Sequence, residues 1–162
     1  MTVTAAAGFS ANGVACGIKP SGDLDLSLVA TTDGRPVVAA AVFTQNKMTA
    51  APVVTTNAHL TLTAGQAAAV VLNSGCANAA TGQSGLGDAS AMCAEVAAAL
   101  GCAAEEVLVC STGLMPQATP LALNPAAAVT VTGRAPRWGD PLSRGGRGGG
   151  WRTGRPRPTR LW

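Results

Sequence analysis

Tyrosine is absent from this 162-residue chain, and aromatic residues make up only 3% of it. A core built without rings draws its area from Ala, Val and Leu, which gives little per residue and brings elements close together. Long hydrophobic runs are missing too. The longest, Val37 to Phe43, is seven residues, far short of the ~20 that cross a bilayer. No membrane span is predicted. The first basic residue is Lys19, so the amino terminus lacks the charged region that a secretory leader carries, and a cytoplasmic location is expected. Histidine is reduced to His59 alone, and the five cysteines (Cys16, Cys76, Cys93, Cys102, Cys110) are an odd number without CxxC spacing. Free buried thiols are predicted; neither a metal nor any other cofactor is expected.

Charge is scarce, at 12%, and segregated. Residues 1–133 hold three basic residues against seven acidic ones, a net −4, whereas residues 134–162 hold eight arginines against Asp140, a net +7. All three tryptophans (Trp138, Trp151, Trp162) fall in the second stretch. Its aliphatic content cannot offset the entropy of ordering the backbone, so residues 125–162 are expected to be a disordered tail rich in Arg, Gly, Pro and Trp. One reading of such a tail is an RGG-like arm that neutralises phosphates and stacks tryptophan on bases. The preferred reading is an out-of-frame translation of GC-rich DNA, so nucleic acid is not expected as a partner.

Residues 1–124 carry the periodicity of an α/β protein, a mixed sheet layered with helices. Short apolar runs predict strands at 13–18, 26–31, 37–44, 67–72 and 106–110. Asp33-Gly34 is a hairpin signal between the second and third runs, and the first half reads as antiparallel. One helix is clear: Asp88 caps it, Ala89, Met92, Val96 and Ala99/Leu100 share a face, and Gly101 suits its C′ position. The strands on either side of it are candidates for a parallel pair.

Three stretches hold more glycine and small polar residues than packing requires. Gly17-Ile-Lys-Pro-Ser-Gly22 presents Lys19 on a turn, where a lysine is ordinarily just solvated. Leu72-Asn-Ser-Gly-Cys-Ala-Asn-Ala-Ala-Thr-Gly-Gln83 follows a buried strand, where α/β sheets bind ligands, yet it lacks the spacing of a phosphate loop. Cys76 within it is a weak nucleophile candidate, because His59 is the only histidine. In Val107-Leu-Val-Cys-Ser-Thr-Gly-Leu114 a strand ends in hydroxyls and a glycine. There the Thr112 hydroxyl and the Gly113 N–H are placed to donate to one developing oxyanion. From the residues alone, an ordinary strand-to-loop turn accounts for the same pattern.

At these segments the sequence resembles the glutamate N-acetyltransferase, or ornithine acetyltransferase, family of bifunctional arginine-biosynthesis enzymes. The matching motifs run in order from Val3 to about Met115: Gly8-Phe9, Gly13-Val-Ala-Cys-Gly-Ile-Lys-Pro-Ser-Gly22, Leu26-Ser-Leu-Val29, Ala41-Val-Phe-Thr44, Ala50-Ala-Pro-Val53, Asn73-Ser-Gly-Cys-Ala-Asn-Ala-Ala-Thr-Gly82 and Cys110-Ser-Thr-Gly113. The resemblance implies a fold like that of N-terminal-nucleophile proteins and a precursor that cleaves itself into α and β chains, assembled as α2β2. The new N-terminal threonine of the β chain takes acetyl from N-acetylornithine and passes it to glutamate, and some members also accept acetyl-CoA. That threonine's own amine serves as its base. The family's oxyanion-hole Thr-Gly pair maps onto Thr112 and Gly113.

The resemblance also shows what is missing. The cleavage site is an Ala-Thr bond in a Gly- and Met-rich context in the second half of the precursor. Ala30-Thr31, Ala80-Thr81 and Ala118-Thr119 all lack that context. This chain therefore reads as the N-terminal, α-chain part of such an enzyme, without its nucleophile and inactive alone. Where the family continues Ser-Thr-Gly with an aliphatic pair and glycine, this chain has Leu114-Met-Pro116, so departure from the family is expected there. Two rival readings are a self-processing N-terminal-nucleophile aminopeptidase and an RNA-binding protein using residues 134–162.

Overall fold

A computed structural model of the chain describes residues 5–115. The elements run β1 (Phe9–Val14), β2 (Leu26–Thr31), β3 (Val37–Val38), α1 (Ala51–Leu62), β4 (Gln66–Ala67), β5 (Ala69–Cys76), α2 (Gly82–Leu100), a 3-10 turn (Ala104–Glu106) and β6 (Val107–Leu114). One sheet has the order β1-β2-β5-β6, and β3 and β4 form a second, two-stranded one. Pairing is antiparallel for β1 with β2 and for β2 with β5, and parallel for β5 with β6. The mixed α/β sheet and the parallel pair flanking α2 are as the sequence predicts. The tail at 125–162 lies outside the described residues.

The core lies between the sheet and the helices. Leu26, Val71, Met92, Val96, Val107 and Val109 are essentially inaccessible to solvent. On α2 the buried positions Ala89, Met92, Cys93, Val96 and Ala97 repeat at helical spacing. Ala97 takes the place expected for Ala99, which is exposed. Gly101 ends the helix in a left-handed conformation, φ 77°.

Four expectations need correction. The first strand is Phe9–Val14, not 13–18, because residues 15–19 wrap around a carboxylate instead of continuing the ladder. The run 37–44 yields only a two-residue strand: its partner β4 is equally short, and Val38, Val42 and Phe43 stay exposed. The Asp33-Gly34 turn forms, with Asp33 Oδ1 accepting the Arg35 N–H, but it joins strands of different sheets rather than a hairpin. Asp88 lies within α2, which starts six residues earlier at Gly82. Those glycine-rich first turns have poor intrinsic propensity; Asn78 secures them by donating to the Gly85 carbonyl and accepting from Thr81 Oγ1.

Helix α1 has no counterpart among the elements expected from the sequence. Its β-branched run Val53-Val-Thr-Thr56 weakens the helical signal, although Pro52 in the first turn favours a helix start. It seals the edge strand. Thr56 Oγ1 donates to the Val109 carbonyl (2.8 Å) and accepts the Val109 N–H (3.0 Å), and His59 Nδ1 donates to the Val107 carbonyl (2.8 Å).

Candidate active site

The three glycine-rich segments converge at one end of the parallel pair. There β5 and β6 run in register, with Asn73 opposite Ser111, Ser74 opposite Thr112, and Gly75 opposite Gly113. Gly113 has φ 133°, and a Cβ on it would lie 2.5 Å from the Gly75 carbonyl carbon and 2.6 Å from the Cys76 nitrogen. Only glycine fits. Gly75 has φ 111°, and a Cβ there would meet Ile18 Cγ2 at 2.9 Å and Lys19 Cγ at 3.1 Å. The 16–19 loop therefore meets Gly75 through the side chains of Ile18 and Lys19, and Gly75 in turn packs backbone on backbone against Gly113.

Hydrogen bonding along β6 sets the direction of its last amides. The Glu106 and Leu114 carbonyls accept from Ala68 and Ala77, on the β5 side. Val107 and Val109 point the other way, onto α1. Continuing this alternation aims the Ser111 and Gly113 amides away from β5, beyond the reach of Thr56. Thr112 and Gly113 are both exposed, and the Thr112 hydroxyl has no partner among the described residues. An outward N–H in a strand end fixed by a close backbone contact, adjacent to a hydroxyl without a partner among the described residues, is the kind of donor set that oxyanion stabilisation uses.

Asp25, which no sequence motif singles out, holds the neighbouring loop. It is 2% exposed. Its carboxylate accepts the N–H groups of Cys16 (2.7 Å), Gly17 (3.1 Å) and Lys19 (2.9 Å). Burial alone would raise its pKa; the amide donors of Cys16 and Lys19, with the Cys16 thiol, outweigh it and hold the carboxyl below its usual range. The Cys16 thiol is pushed up to about 11, by burial and then by its hydrogen bond to Asp25. A lone acid inside the apolar Leu24-Asp-Leu26 is the signal that could have found it. Lys19 is half-buried and its Nζ donates to the Leu24 carbonyl (3.1 Å).

The other candidates are placed apart from this end. Cys76 is buried in the core cluster and sits opposite Leu114, while His59 binds the far end of β6 at Val107. Seven residues of strand, ~23 Å, separate the two positions, so no Cys-His pair forms. Thr31 lies in β2 at 3% exposure with its N–H bonded to Ala68, and the Ala30-Thr31 bond is strand backbone. Cys110 is exposed, contrary to the buried-thiol expectation. A cleft of about 300 Å³ between the starts of α1 and α2 is lined by Thr49, Thr81 and Gln83 among others, and includes neither Thr112 nor Gly113.

A mixed sheet with helices packed against it, and its glycine-rich segments gathered at the carboxyl end of a parallel pair, defines an α/β protein with its candidate site at those strand ends. The ArgJ family model matches residues 10–135, and the chain belongs to the ArgJ family. The arginine biosynthesis bifunctional protein ArgJ of Mycobacterium tuberculosis is 52% identical over 124 residues, covering 74% of this chain and 30% of that protein. The Streptomyces coelicolor protein of the same name is 50% identical over 121 residues, covering 75% and 31%. This chain thus spans under a third of the length of these curated relatives. Among solved structures, M. tuberculosis ornithine acetyltransferase complexed with ornithine superposes with a TM-score of 0.73 at 46% identity, covering 85% of this chain and 73% of that one. The Bacillus halodurans ArgJ structure gives 0.71 at 36% identity, covering 79% and 65%. The family match sets the aminopeptidase reading aside and runs past Met115, so family character continues beyond Leu114-Met-Pro116. Among the described residues no helix is long and apolar enough to cross a membrane.

Proposed function

We propose that this chain carries the oxyanion-stabilising part of a glutamate N-acetyltransferase (ornithine acetyltransferase) site and that its nucleophile resides on separate polypeptide. The substrates in this reading are N-acetylornithine and glutamate, with acetyl-CoA as a further donor in some members. As the nucleophilic threonine adds to the acetyl carbonyl, the carbonyl oxygen becomes an alkoxide. The Thr112 hydroxyl and the Gly113 N–H donate to it, and the charge collapses back when ornithine leaves. The acetyl-threonine then yields to the glutamate amine by the same two steps. The observation that carries this reading is the Gly75–Gly113 backbone contact, beside an exposed hydroxyl that has no partner among the described residues.

The partner in this reading is the family's β chain, in an α2β2 assembly in the cytoplasm, with residues 1–124 as the α-chain part. The coverages support a two-chain enzyme. This chain spans 30% of the curated M. tuberculosis protein but 73% of the crystallised M. tuberculosis chain, so the latter is much shorter than the full curated length.

The test is an acetyl-transfer assay from N-acetylornithine to glutamate. The 162-residue chain alone is expected to show no transfer. Co-expressed with the part of the M. tuberculosis relative that it does not span, it is expected to support transfer, and Thr112→Ala to lower the rate by ~10²–10³. Acetyl bound covalently to a side chain of the isolated protein, or full activity of the complemented Thr112→Ala variant, overturns the reading.

A further inference from the structure

We propose that Asp25 is a positioning residue for the Gly113 amide, acting through the 16–19 loop and Gly75. The inference rests on Thr112 and Gly113 being the oxyanion donors.

Asp25 is tied into three places at once. Its own N–H donates to the Val14 carbonyl at the end of β1 (3.1 Å), and its carbonyl accepts the Ser74 N–H on β5 (2.8 Å). Its carboxylate gathers the amides of Cys16, Gly17 and Lys19. Three convergent amides fix a loop more tightly than one acceptor would, because each bond removes a separate freedom of the backbone. The loop thus held sets Ile18 and Lys19 against Gly75, and the face of Gly75 that they leave free is where Gly113 packs. A shift of the loop moves Ile18 Cγ2 and Lys19 Cγ, the atoms that crowd Gly75, and from Gly75 to Gly113 the contact is backbone on backbone, with no side chain to absorb it. Among the described residues the carboxylate has no competing cation: Lys19, whose amide it binds, turns its Nζ to the Leu24 carbonyl instead. If Asp25 served only to close its own loop, the effect of changing it would stop at residue 25.

Asp25→Asn keeps the shape and one acceptor oxygen while removing the charge and the second acceptor, which tests the proposal in the full 162-residue chain. In amide-resolved NMR, the Gly17 and Lys19 resonances are expected to move and those of Gly75 and Gly113 to move with them. Hydrogen exchange at Ala77, whose N–H closes the strand end onto the Leu114 carbonyl (3.0 Å), is expected to quicken at least tenfold, while Leu28 and Val109 keep their native rates. Shifts confined to residues 14–25, with Ala77 exchange unchanged, overturn the proposal. Gly75→Ala probes the same contact from the other side if the Asn variant does not fold: its Cβ must displace Ile18, and unmoved Gly17 and Lys19 amides overturn the coupling. In the complemented enzyme, Asp25→Asn is expected to lower kcat about tenfold with KM retained, and an unchanged kcat overturns the positioning role. Absence of transfer from the native complemented chain instead defeats the acetyltransferase reading, while the NMR shifts and exchange rates still decide whether Asp25 and Gly113 are coupled.

Discussion

Along β6, Val107, Leu108 and Val109 are buried on both faces, and the outward backbone groups of Val107 and Val109 are taken by His59 and Thr56. Thr112, Gly113 and Leu114, a few residues on in the same strand and paired with the same neighbour, are exposed, and no side chain of α1 reaches their amides. The difference shows how one strand serves two purposes. Its first half is satisfied internally and holds the sheet together. Its second half is held by the β5 ladder, by the Ala77 N–H on the Leu114 carbonyl and by the close Gly75–Gly113 backbone contact, and its Gly113 amide faces away from β5.

The substitution expected to do most damage lies in the open half. Gly113→Ala places a Cβ 2.5 Å from the Gly75 carbonyl carbon at φ 133°, combining backbone strain with forced displacement, together about 4 kcal/mol. Urea denaturation measures it. A loss below 1 kcal/mol would mean that the strand end yields and that the contact does not fix the amide. In the closed half, Thr56→Val removes the hydroxyl that serves both the N–H and the C=O of Val109, leaving two buried polar groups unpaired at a cost of about 2 kcal/mol. A Thr56→Ser variant, which keeps the hydroxyl, is expected to recover most of that, and equal losses for Val and Ser would blur the distinction between the halves.

How much of this is legible in the sequence follows the same division. The sheet strands β2, β5 and β6 are readable because Leu26-Ser-Leu-Val29, Val70-Val-Leu72 and Val107-Leu-Val109 are apolar runs bounded by turn residues. The back half of α2 is readable from Ala89, Met92 and Val96. The glycine clusters are visible as clusters, but their meeting is not, since the Gly75–Gly113 contact depends on the register of two strands thirty-odd residues apart. Helix α1 stays hidden because Thr55, Thr56 and His59 are hydrogen-bonding or β-branched residues whose helical state is set by the strand edge they seal. The acid between Leu24 and Leu26 marks Asp25 as out of place, but its role stays hidden because that pattern says nothing of the three amides that fold around it. The apolar run 37–44 misleads for the opposite reason: local pattern asks for a strand, and β4 offers only two residues of partner.

Acid should act on the loop end of the site more gently than either substitution. The carboxyl of Asp25 is held below its ordinary 3.8 in the folded chain. The stability it contributes is therefore complete above the unfolded-state pKa and is lost as the pH falls through the folded-state value. The urea midpoint of the native chain is expected to decline as the pH drops from 5 toward 2, with a shallower decline in Asp25→Asn. Parallel declines would show that other carboxylates carry the acid sensitivity.

Thr112→Ala should perturb the fold least. The side chain is exposed and its hydroxyl has no partner among the described residues, so stability should hold within about 0.5 kcal/mol. If removing it destabilises the isolated chain by more than 1 kcal/mol, the hydroxyl has an internal role and the open half of β6 is not held in reserve. If stability holds and transfer in the complemented enzyme falls ~10²–10³, a group that contributes nothing to the fold contributes to the reaction. Thr112→Ser sharpens the result further: it keeps the donor and drops only an exposed methyl, so it should retain most of the rate unless the methyl sets the hydroxyl's rotamer, in which case the loss appears in kcat with KM unchanged.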